Sequence, residues 1–303
     1  MDLDLQQLRA LSVAVSEGTL DAAARVLHVT PSAVSQRLRA LEVATGQVLL
    51  VRSRPVRVTE AGRPVLRLAR QVELLLTDTA AELDLSEDGG RASPLPVAVN
   101  ADSLATWVLP ALQPLAADLF FRLYREDERR TSDLLRDGTV LAAVSTDAEP
   151  VAGCRVVPLG AMRYRPTAAP AFAARWFPDG PDPASLARAP VVTFDRDDPL
   201  QRAYLDAHRA RSGPPLEPPV HFVPSSADFV AAVRLGFGWG MVPDLQADDD
   251  RTAGALVDLD PDGAVDVALH WQQWQLRSPA LDRLGEALIA AARRALVQGP
   301  AKS

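Results

Sequence analysis

Residues 18–46 read GTLDAAARVLHVTPSAVSQRLRALEVATG, and this stretch decides the fold of the N-terminal part of the chain. Apolar residues recur at three- and four-residue spacing in its first half and again in its second half, which is typical of two amphipathic helices. Thr30 and Pro31 predict a sharp start for the second helix, because a threonine hydroxyl caps a helix and proline fits its first turn. The stretch therefore predicts a helix-turn-helix.

The polar positions of the second helix predict contact with DNA. In a helix-turn-helix, the N-terminal residues of the second helix enter the major groove, where hydroxyl, amide and guanidinium groups bond base edges or phosphates. The predicted DNA-binding residues on and before this helix are Thr30, Ser32, Ser35, Gln36, Arg37 and Arg39. The alternative is that the two helices merely form part of a core.

The flanking sequence favours the DNA-binding interpretation. A helical pattern at 5–15 supplies the third helix of the domain, and two short β-type runs within 48–59 read as a hairpin or wing. Arg52 and Arg54 lie at this wing and are predicted to contact DNA. Nine arginines and two glutamates lie between residues 25 and 70, so this segment is basic although the net charge of the chain is −7. A locally basic surface suits a phosphate backbone.

A long helical pattern at 59–85 follows the wing. Its apolar side predicts contact with a second copy of the chain, because a helix that projects between domains must bury its apolar face. The predicted dimerisation residues are Leu66, Val72, Leu76 and Leu83. Packing of the helix against its own N-terminal domain is the alternative. Gly62 and Pro64 weaken the first turn, and the Gly-, Ser- and Pro-containing stretch 86–94 reads as a hinge.

The run from residue 3 to residue 68, with AAARVLHVTPSAVSQRLRALE and VRVTEAG, resembles the DNA-binding end of LysR-type transcriptional regulators. The runs at 97–112, 154–160, 221–229 and 238–243 resemble one branch of that family, the regulators of basic amino-acid export. The resemblance implies a transcription regulator that binds operator DNA and a small effector, with lysine or arginine preferred. It also implies a homodimer or tetramer, and RNA polymerase is a further candidate partner.

Beyond the hinge, β-type runs alternate with helical patterns, which predicts an α/β sheet. The predicted strands are 96–100, 120–124, 140–145, 191–194, 222–223, 240–242 and 269–271, and a final helix is predicted at 279–297. The resemblance implies two lobes like those of periplasmic binding proteins, with the effector between them. We predict a winged helix-turn-helix at 1–58, a linker helix and hinge at 59–90, and an effector domain at 91–303. Its first lobe is predicted at 94–161 and 268–303, and its second lobe at 162–267.

Polar residues follow the predicted strands, where ligands of α/β sheets bind. An amino acid needs donors for its carboxylate and carboxylates for its ammonium group. The predicted effector-binding residues are Asp102, Ser103, Asp127, Ser145, Thr146, Asp195, Asp198, Ser225 and Ser226. The alternative is that these side chains are ordinary helix caps and solvated acids.

Composition excludes several other classes. No apolar run approaches the ~20 residues of a membrane span, and residues 1–4 are acidic where a signal peptide is basic, so we expect a cytoplasmic protein with no membrane partner. The single cysteine, Cys154, is expected to be buried, and the four histidines are too scattered to predict a metal site. No nucleophile-elbow, phosphate-loop, zinc-protease or dinucleotide motif occurs, so no enzyme activity and no cofactor are predicted.

Three alternatives stay open. One is a LysR-type regulator of another pathway with a different effector. The second is a solute-binding or enzymatic α/β module whose helical N-terminus does not bind DNA. The third is an architectural DNA-binding protein, for which a large acidic effector domain would serve no purpose.

Overall fold

The computed structural model describes residues 3–51, 53–83, 94–125, 128–209 and 213–299, with the backbone alone at 81–82 and 128–130. The chain forms two compact units. The first holds residues 1–100, 112–157 and 270–289, and the second holds residues 101–111, 158–269 and 290–303. Because this division groups the N-terminal domain with part of the effector domain, the predicted domain boundaries stay predictions.

Three helices form the N-terminal domain of the first unit: α1 (Leu5–Glu17), α2 (Leu20–Val26) and α3 (Pro31–Thr45). The predicted start of α3 is confirmed, because the Thr30 side chain accepts a hydrogen bond from the Ala33 backbone N–H and Pro31 is the first helical residue. The core between the helices is apolar and includes small residues, which let the helices pack closely. Its buried members include Leu11, Ala14, Ala23, Ala24, Val34, Leu38 and Leu41.

The predicted wing is present as a short antiparallel hairpin. Strand β1 (Leu50–Val51) pairs with β2 (Arg57–Val58), with Leu50 opposite Val58. Val56, between the strands, is buried in the core of the N-terminal domain. The hairpin is therefore anchored to that domain through its apolar side.

The linker helix α4 (Gly62–Glu82) starts three residues later than predicted. The Thr59 hydroxyl accepts a hydrogen bond from the Gly62 backbone N–H, and Pro64 falls in the first turn, where a missing N–H costs little. The prediction that Leu66 contacts a second copy is wrong, because its side chain is fully buried in the core of its own N-terminal domain. Residues 86–93 of the predicted hinge at 86–94 lie outside the described residues.

The first unit also contains a sheet. Strand β3 (Leu95–Val99) pairs in parallel with β4 (Phe121–Arg125) on one side and with β5 (Ala142–Ser145) on the other. Residues 270–273 of β11 (Val265–Trp274) pair antiparallel with β5. Helix α7 (Glu128–Arg136) packs on this sheet.

The second unit begins with α5 (Ala101–Ser103), a π-helical turn (Leu104–Val108) and α6 (Leu109–Leu112). Its part of the long strand β6 (Cys154–Ala168) pairs antiparallel with β9 (Gly240–Pro243) and β10 (Val257–Asp258). A separate parallel pair joins β7 (Val191–Thr193) to β8 (Val220–Phe222). The remaining helices are α8 (Pro170–Trp176), α9 (Pro183–Leu186), α10 (Leu200–His208), α11 (Ser226–Arg234), α12 (Asp244–Thr252) and α13 (Pro279–Ala295), the last shared with the first unit.

Most predicted strands of the effector domain lie within two residues of an observed one, but β6 and β10 were not predicted. Strand β6 contains Pro158 and Pro166, and proline inside a run of residues normally argues against a strand. Cys154, at the start of β6, is buried as expected, and burial raises the pKa of its thiol to about 12. Within the described residues, no helix is both long enough and apolar enough to cross a membrane.

Candidate functional site

The start of α3 presents the predicted DNA-reading residues together. Ser32, Gln36 and Arg39 are exposed at positions that recur along one face of the helix, and Ser35 between them is half-buried. The Thr30 and Ser32 hydroxyl oxygens lie 2.8 Å apart, so the capping residue joins this polar edge. Arg37 points differently, because its Nη2 donates to the Gln6 side chain at 2.8 Å.

A concave surface lies beside this face of α3. A cavity of about 370 Å³ is bounded by the starts of α2 and α3 and by the wing. Ser32 and Ser35 line it from α3, and Ser53 and Arg54 line it from the wing. Arg52, the other predicted wing residue, lies outside the described residues.

In the second unit, Asp102 is the centre of a hydrogen-bonded network. Its Oδ2 accepts from the Tyr164 hydroxyl at 2.7 Å and its Oδ1 accepts from the Ser226 hydroxyl at 2.6 Å. The Gln246 amide donates to the same Ser226 oxygen at 2.8 Å. Asp102 and Ser226 were predicted, whereas Tyr164 on β6 and Gln246 on α12 were not, because they follow no recognisable motif.

Asp195 and Asp198 shape the loop between β7 and α10. Asp195 Oδ1 accepts from the backbone N–H groups of Asp197 and Asp198 at 2.8 and 3.0 Å. The Asp198 carboxylate accepts from the Leu200 N–H at 3.1 Å and the Phe194 N–H at 3.3 Å. These bonds give both acids the capping role that was the alternative to effector binding.

Asp198 is also electrostatically strained. Burial raises the pKa of its carboxyl above the ordinary value, the two backbone hydrogen bonds oppose that shift, and the charges of Asp102 and Asp195 add to it. The second unit thus holds a cluster of like charges that a cation would stabilise. Within the described residues, no group of three or more His, Cys, Asp and Glu side chains is arranged to hold a metal ion.

The predicted hydroxyl donors have different surroundings. Ser103 is fully buried, and its hydroxyl has no hydrogen-bond partner among the described residues. Ser225 is half-buried at the start of α11. A buried hydroxyl without a partner is costly unless water or a ligand satisfies it, so Ser103 is a candidate for ligand contact.

In the first unit, Ser145 is the last residue of β5, and Thr146 follows the strand. Ser145 is buried, and its hydroxyl accepts from the Asp147 backbone N–H at 3.0 Å. The Asp147 carboxylate accepts a hydrogen bond from Ser132, a buried residue of α7 that sequence reasoning missed. Asp127 lies outside the described residues.

A larger cavity of about 700 Å³ lies in the second unit, and its lining does not include Asp102, Asp195 or Asp198. The π-helical turn, α6, α11, α12 and the end of α13 supply its lining. Gln246 lines this cavity and also belongs to the Asp102 network. The volume of a cavity therefore does not identify the charged cluster, which is recognised by its chemistry instead.

Residues 5–63 match the family described as bacterial regulatory helix-turn-helix protein, lysR family, and residues 88–293 match the LysR substrate binding domain. Together these matches cover most of the chain. The chain belongs to the LysR family. As a LysR-family protein it is a DNA-binding transcription regulator with a two-lobed α/β substrate-binding domain, and not an enzyme.

Its relatives place it near one branch of the LysR family. It is 44% identical over 294 residues to the HTH-type transcriptional regulator LysG of Mycobacterium bovis, covering 96% of this chain and 94% of that protein. The crystal structure of ArgP from Mycobacterium tuberculosis is similar with a TM-score of 0.84 and 42% identity, covering 99% of this chain and all of the other. Full-length LysG from Corynebacterium glutamicum with bound effector Arg gives a TM-score of 0.75 and 39% identity, covering 97% of this chain and all of the other.

Proposed function

We propose that this LysR-family chain is a regulator that binds a basic amino acid, arginine or lysine, and controls the gene of an amino-acid exporter. The effector class is supported by LysG from C. glutamicum, which is 39% identical and carries the effector Arg. The exporter is supported by the runs that resemble regulators of basic amino-acid export.

The observation that carries the proposal is the acidic cluster of the second unit. Asp102 and Asp198 are close enough that the charge of Asp102 raises the pKa of Asp198, which is already raised by burial. A guanidinium or ammonium group bound beside them would offset this repulsion and favour the charged form of Asp198. A neutral side chain would give no such gain, so the cluster favours a basic amino acid.

The carboxylate of a bound amino acid needs hydrogen-bond donors. Ser103 has a buried hydroxyl with no partner among the described residues, and Ser225 stands beside Ser226 at the start of α11. We propose that these hydroxyls bind the effector carboxylate, because hydroxyl donors bond strongly to a charged acceptor. Ser145, Thr146 and Asp127 stay candidates for effector contact from the first unit.

Calorimetric titration of the full chain with arginine, lysine, citrulline and leucine tests the effector class. Citrulline keeps the shape of arginine but replaces the guanidinium by a neutral urea group. We expect arginine or lysine to bind at least about tenfold more tightly than citrulline or leucine, since a charge-assisted hydrogen bond in a site that screens little is worth more than about 1 kcal/mol. Equal affinity for arginine and citrulline would discard the basic effector and favour a regulator of another pathway.

Single variants test whether arginine affinity depends on the acidic cluster. Asp102→Asn should weaken arginine binding by about tenfold or more, because it removes one charge and leaves the amide facing two hydroxyl donors. Asp206→Asn is the matched control, since Asp206 lies on α10 in an exposed ion pair with Arg202. If both variants bind arginine like the wild type, the acidic cluster is not the effector site.

The other partners complete the proposal. Operator DNA binds the α3 face and the wing, two or four copies assemble through the exposed part of α4, and RNA polymerase responds to the bound regulator. Such a regulator acts in the cytoplasm, where the operator DNA is.

A further inference from the structure

The end of α1 contacts the edge strand of the sheet within the first unit. Arg122 on β4 donates from Nη2 to Glu17 Oε1 at 3.1 Å and from Nη1 to the Ser16 backbone oxygen at 3.2 Å. That oxygen belongs to the last turn of α1, where the helix dipole favours a cation. One arginine of the effector domain therefore holds the end of a helix of the DNA-binding domain by two bonds.

A second arginine forms a buried layer beneath this contact. Arg70 on α4 is only 7% exposed, and its Nη2 donates to the Ser16 hydroxyl at 3.0 Å. Tyr124 on β4 hydrogen-bonds to both arginines, and burial lowers the pKa of Arg70 against the opposing influence of Tyr124 and Glu73. Glu73 accepts from the Ser12 hydroxyl at 2.8 Å. Three elements, α1, α4 and β4, thus share one network of polar and charged groups.

The linker helix α4 packs against the effector domain beside this network. Gly138 has φ +70°, and a Cβ placed on it would lie 2.6 Å from the Arg67 Cα, so only glycine allows this approach. The Arg67 guanidinium lies 4.8 Å from the centre of the Trp274 ring, which is cation–π geometry. The contact is therefore extended and specific in shape.

The polar and charged groups of this contact suit an interface that can open. Contacts between domains of one chain are more polar than cores, and motion between such domains is the ordinary expectation. A core of leucines would hold the two parts permanently, whereas ion pairs are selective for one arrangement and are weakened by competing charges. None of the contacts described involves Ser32, Gln36 or Arg39, so the docked domain keeps its DNA-reading face open.

We infer that Ser16, Glu17, Arg70 and Arg122 form a releasable latch that sets the orientation of the DNA-binding domain on the effector domain. Strand β4 carries Arg122 and Tyr124, and in sequence its last residue, Arg125, is followed within two residues by Asp127, a candidate effector residue. A shift of this strand on effector binding would move the latch directly. This role in signalling rests on the proposed function, whereas the latch itself does not.

The charge reversal Arg122→Glu tests the latch, because it places two carboxylates together and removes the donor to Ser16. Small-angle scattering should show a larger radius of gyration, and amide exchange at 134–140, which includes the Gly138 contact with α4, should quicken by about tenfold or more. Arg283→Glu is the control, since Arg283 pairs with Asp118 on the surface of the same unit. If Arg122→Glu leaves both measurements like those of the control, the latch does not exist.

The second arm measures signalling in the full chain. Arginine binding is measured by calorimetry, and operator binding is measured with and without arginine. A regulator of this kind changes operator affinity by about 5- to 150-fold. We expect Arg122→Glu to bind arginine like the wild type while its operator response falls below about twofold.

The pair Glu17→Arg with Arg122→Glu should regain part of both the compact shape and the response. It restores the attraction but not the bond to the Ser16 oxygen. A wild-type response in an opened Arg122→Glu protein would overturn the signalling role. Failure of the wild type to bind arginine would instead count against the proposed effector, and the scattering and exchange measurements would still decide the latch.

Discussion

At the scale of single residues, the ends of helices follow from local chemistry. Thr30 and Pro31 predicted the start of α3, and the backbone bond from Ala33 to the Thr30 hydroxyl confirms it. The same chemistry explains why Asp195 and Asp198 are ambiguous in the sequence, because an acid that caps a loop and an acid that binds a cation look alike. The burial of Asp198 and the nearby charge of Asp102 favour the second role for Asp198, which stays a prediction.

The predicted DNA-reading role of Gln36 can be tested at the scale of one residue. Its amide is exposed on the face of α3 that also carries Ser32 and Arg39. We expect Gln36→Ala to weaken binding to the specific operator by about 1–3 kcal/mol, the range for one good base contact, with little change in binding to random DNA. Fluorescence anisotropy with both DNAs measures the two affinities.

Gln47→Ala is the matched control, since Gln47 is an exposed glutamine just beyond the C-terminal end of α3. It should bind both DNAs like the wild type, and both variants should have wild-type thermal stability. Identical operator affinity for Gln36→Ala and Gln47→Ala would show that α3 enters the groove in another orientation.

At the scale of elements, α4 divides along its length. Leu66 and Ala69 near its start belong to the core of the N-terminal domain, and Leu74 is buried as well. The side chains of Leu68, Leu75, Leu76 and Leu83 are exposed by 37–60%. These leucines include two pairs with seven-residue spacing, which is the spacing of helices that pair along their length. Packing against its own domain therefore describes the first part of α4, and contact with a second copy stays a prediction for the exposed part.

A charged residue in this exposed stripe should weaken self-association. We expect Leu76→Glu to shift the protein toward smaller species at micromolar concentration and to lower operator affinity with it, because two DNA-reading helices at a fixed spacing bind together. Sedimentation velocity measures the shift. Val43→Glu is the control, since Val43 is 81% exposed on α3 and apart from the stripe. A wild-type sedimentation profile for Leu76→Glu would exclude α4 as the interface.

Strand β6 shows where prediction from sequence stopped. Regular alternation and flanking turns revealed β3, β5, β7 and β9, but the prolines of β6 hid the longest strand of the described chain. Those prolines are tolerated because the strand is held elsewhere, for example by the pairing of Thr167 with Gly240 and Asp258. Because β6 was not predicted, Tyr164, whose hydroxyl donates to Asp102, was not predicted as a site residue either.

At the scale of the whole molecule, the proposed effector site is a product of long-range folding. Asp102, Tyr164, Ser226 and Gln246 come from four elements, and Ser226 lies 124 residues beyond Asp102 in the sequence. The positions of Asp102 and Ser226 after strands were predictable, since ligands gather there. Their direct hydrogen bond was not, because no local pattern encodes which strand ends meet.

If the effector binds beside Asp198 as proposed, the raised pKa of this carboxyl couples effector binding to pH. A raised pKa means that the folded chain holds a proton on Asp198 more tightly than the unfolded chain does. The stability from this difference is fully present below the unfolded pKa and is lost as the pH rises through the folded pKa. A bound cation favours the ionised carboxylate and so lowers that pKa, which means that binding releases a proton. Arginine affinity must therefore rise with pH across the acidic range.

We expect this rise above about pH 4, the ordinary pKa of an aspartate, and thermal stabilisation by excess arginine should grow in parallel, since a ligand at about 100 times its Kd stabilises the folded chain by about 2.7 kcal/mol. Asp198→Asn should flatten the pH dependence and weaken arginine binding at neutral pH. It should not lower the stability of the unliganded chain by more than about 1 kcal/mol, because the amide oxygen still accepts a backbone bond and no charge is buried. Asp206→Asn, whose side chain is exposed on α10, should keep the wild-type pH dependence. Calorimetry in two buffers of different ionisation enthalpy measures the released proton, and the same heat in both would mean that no cation binds beside Asp198.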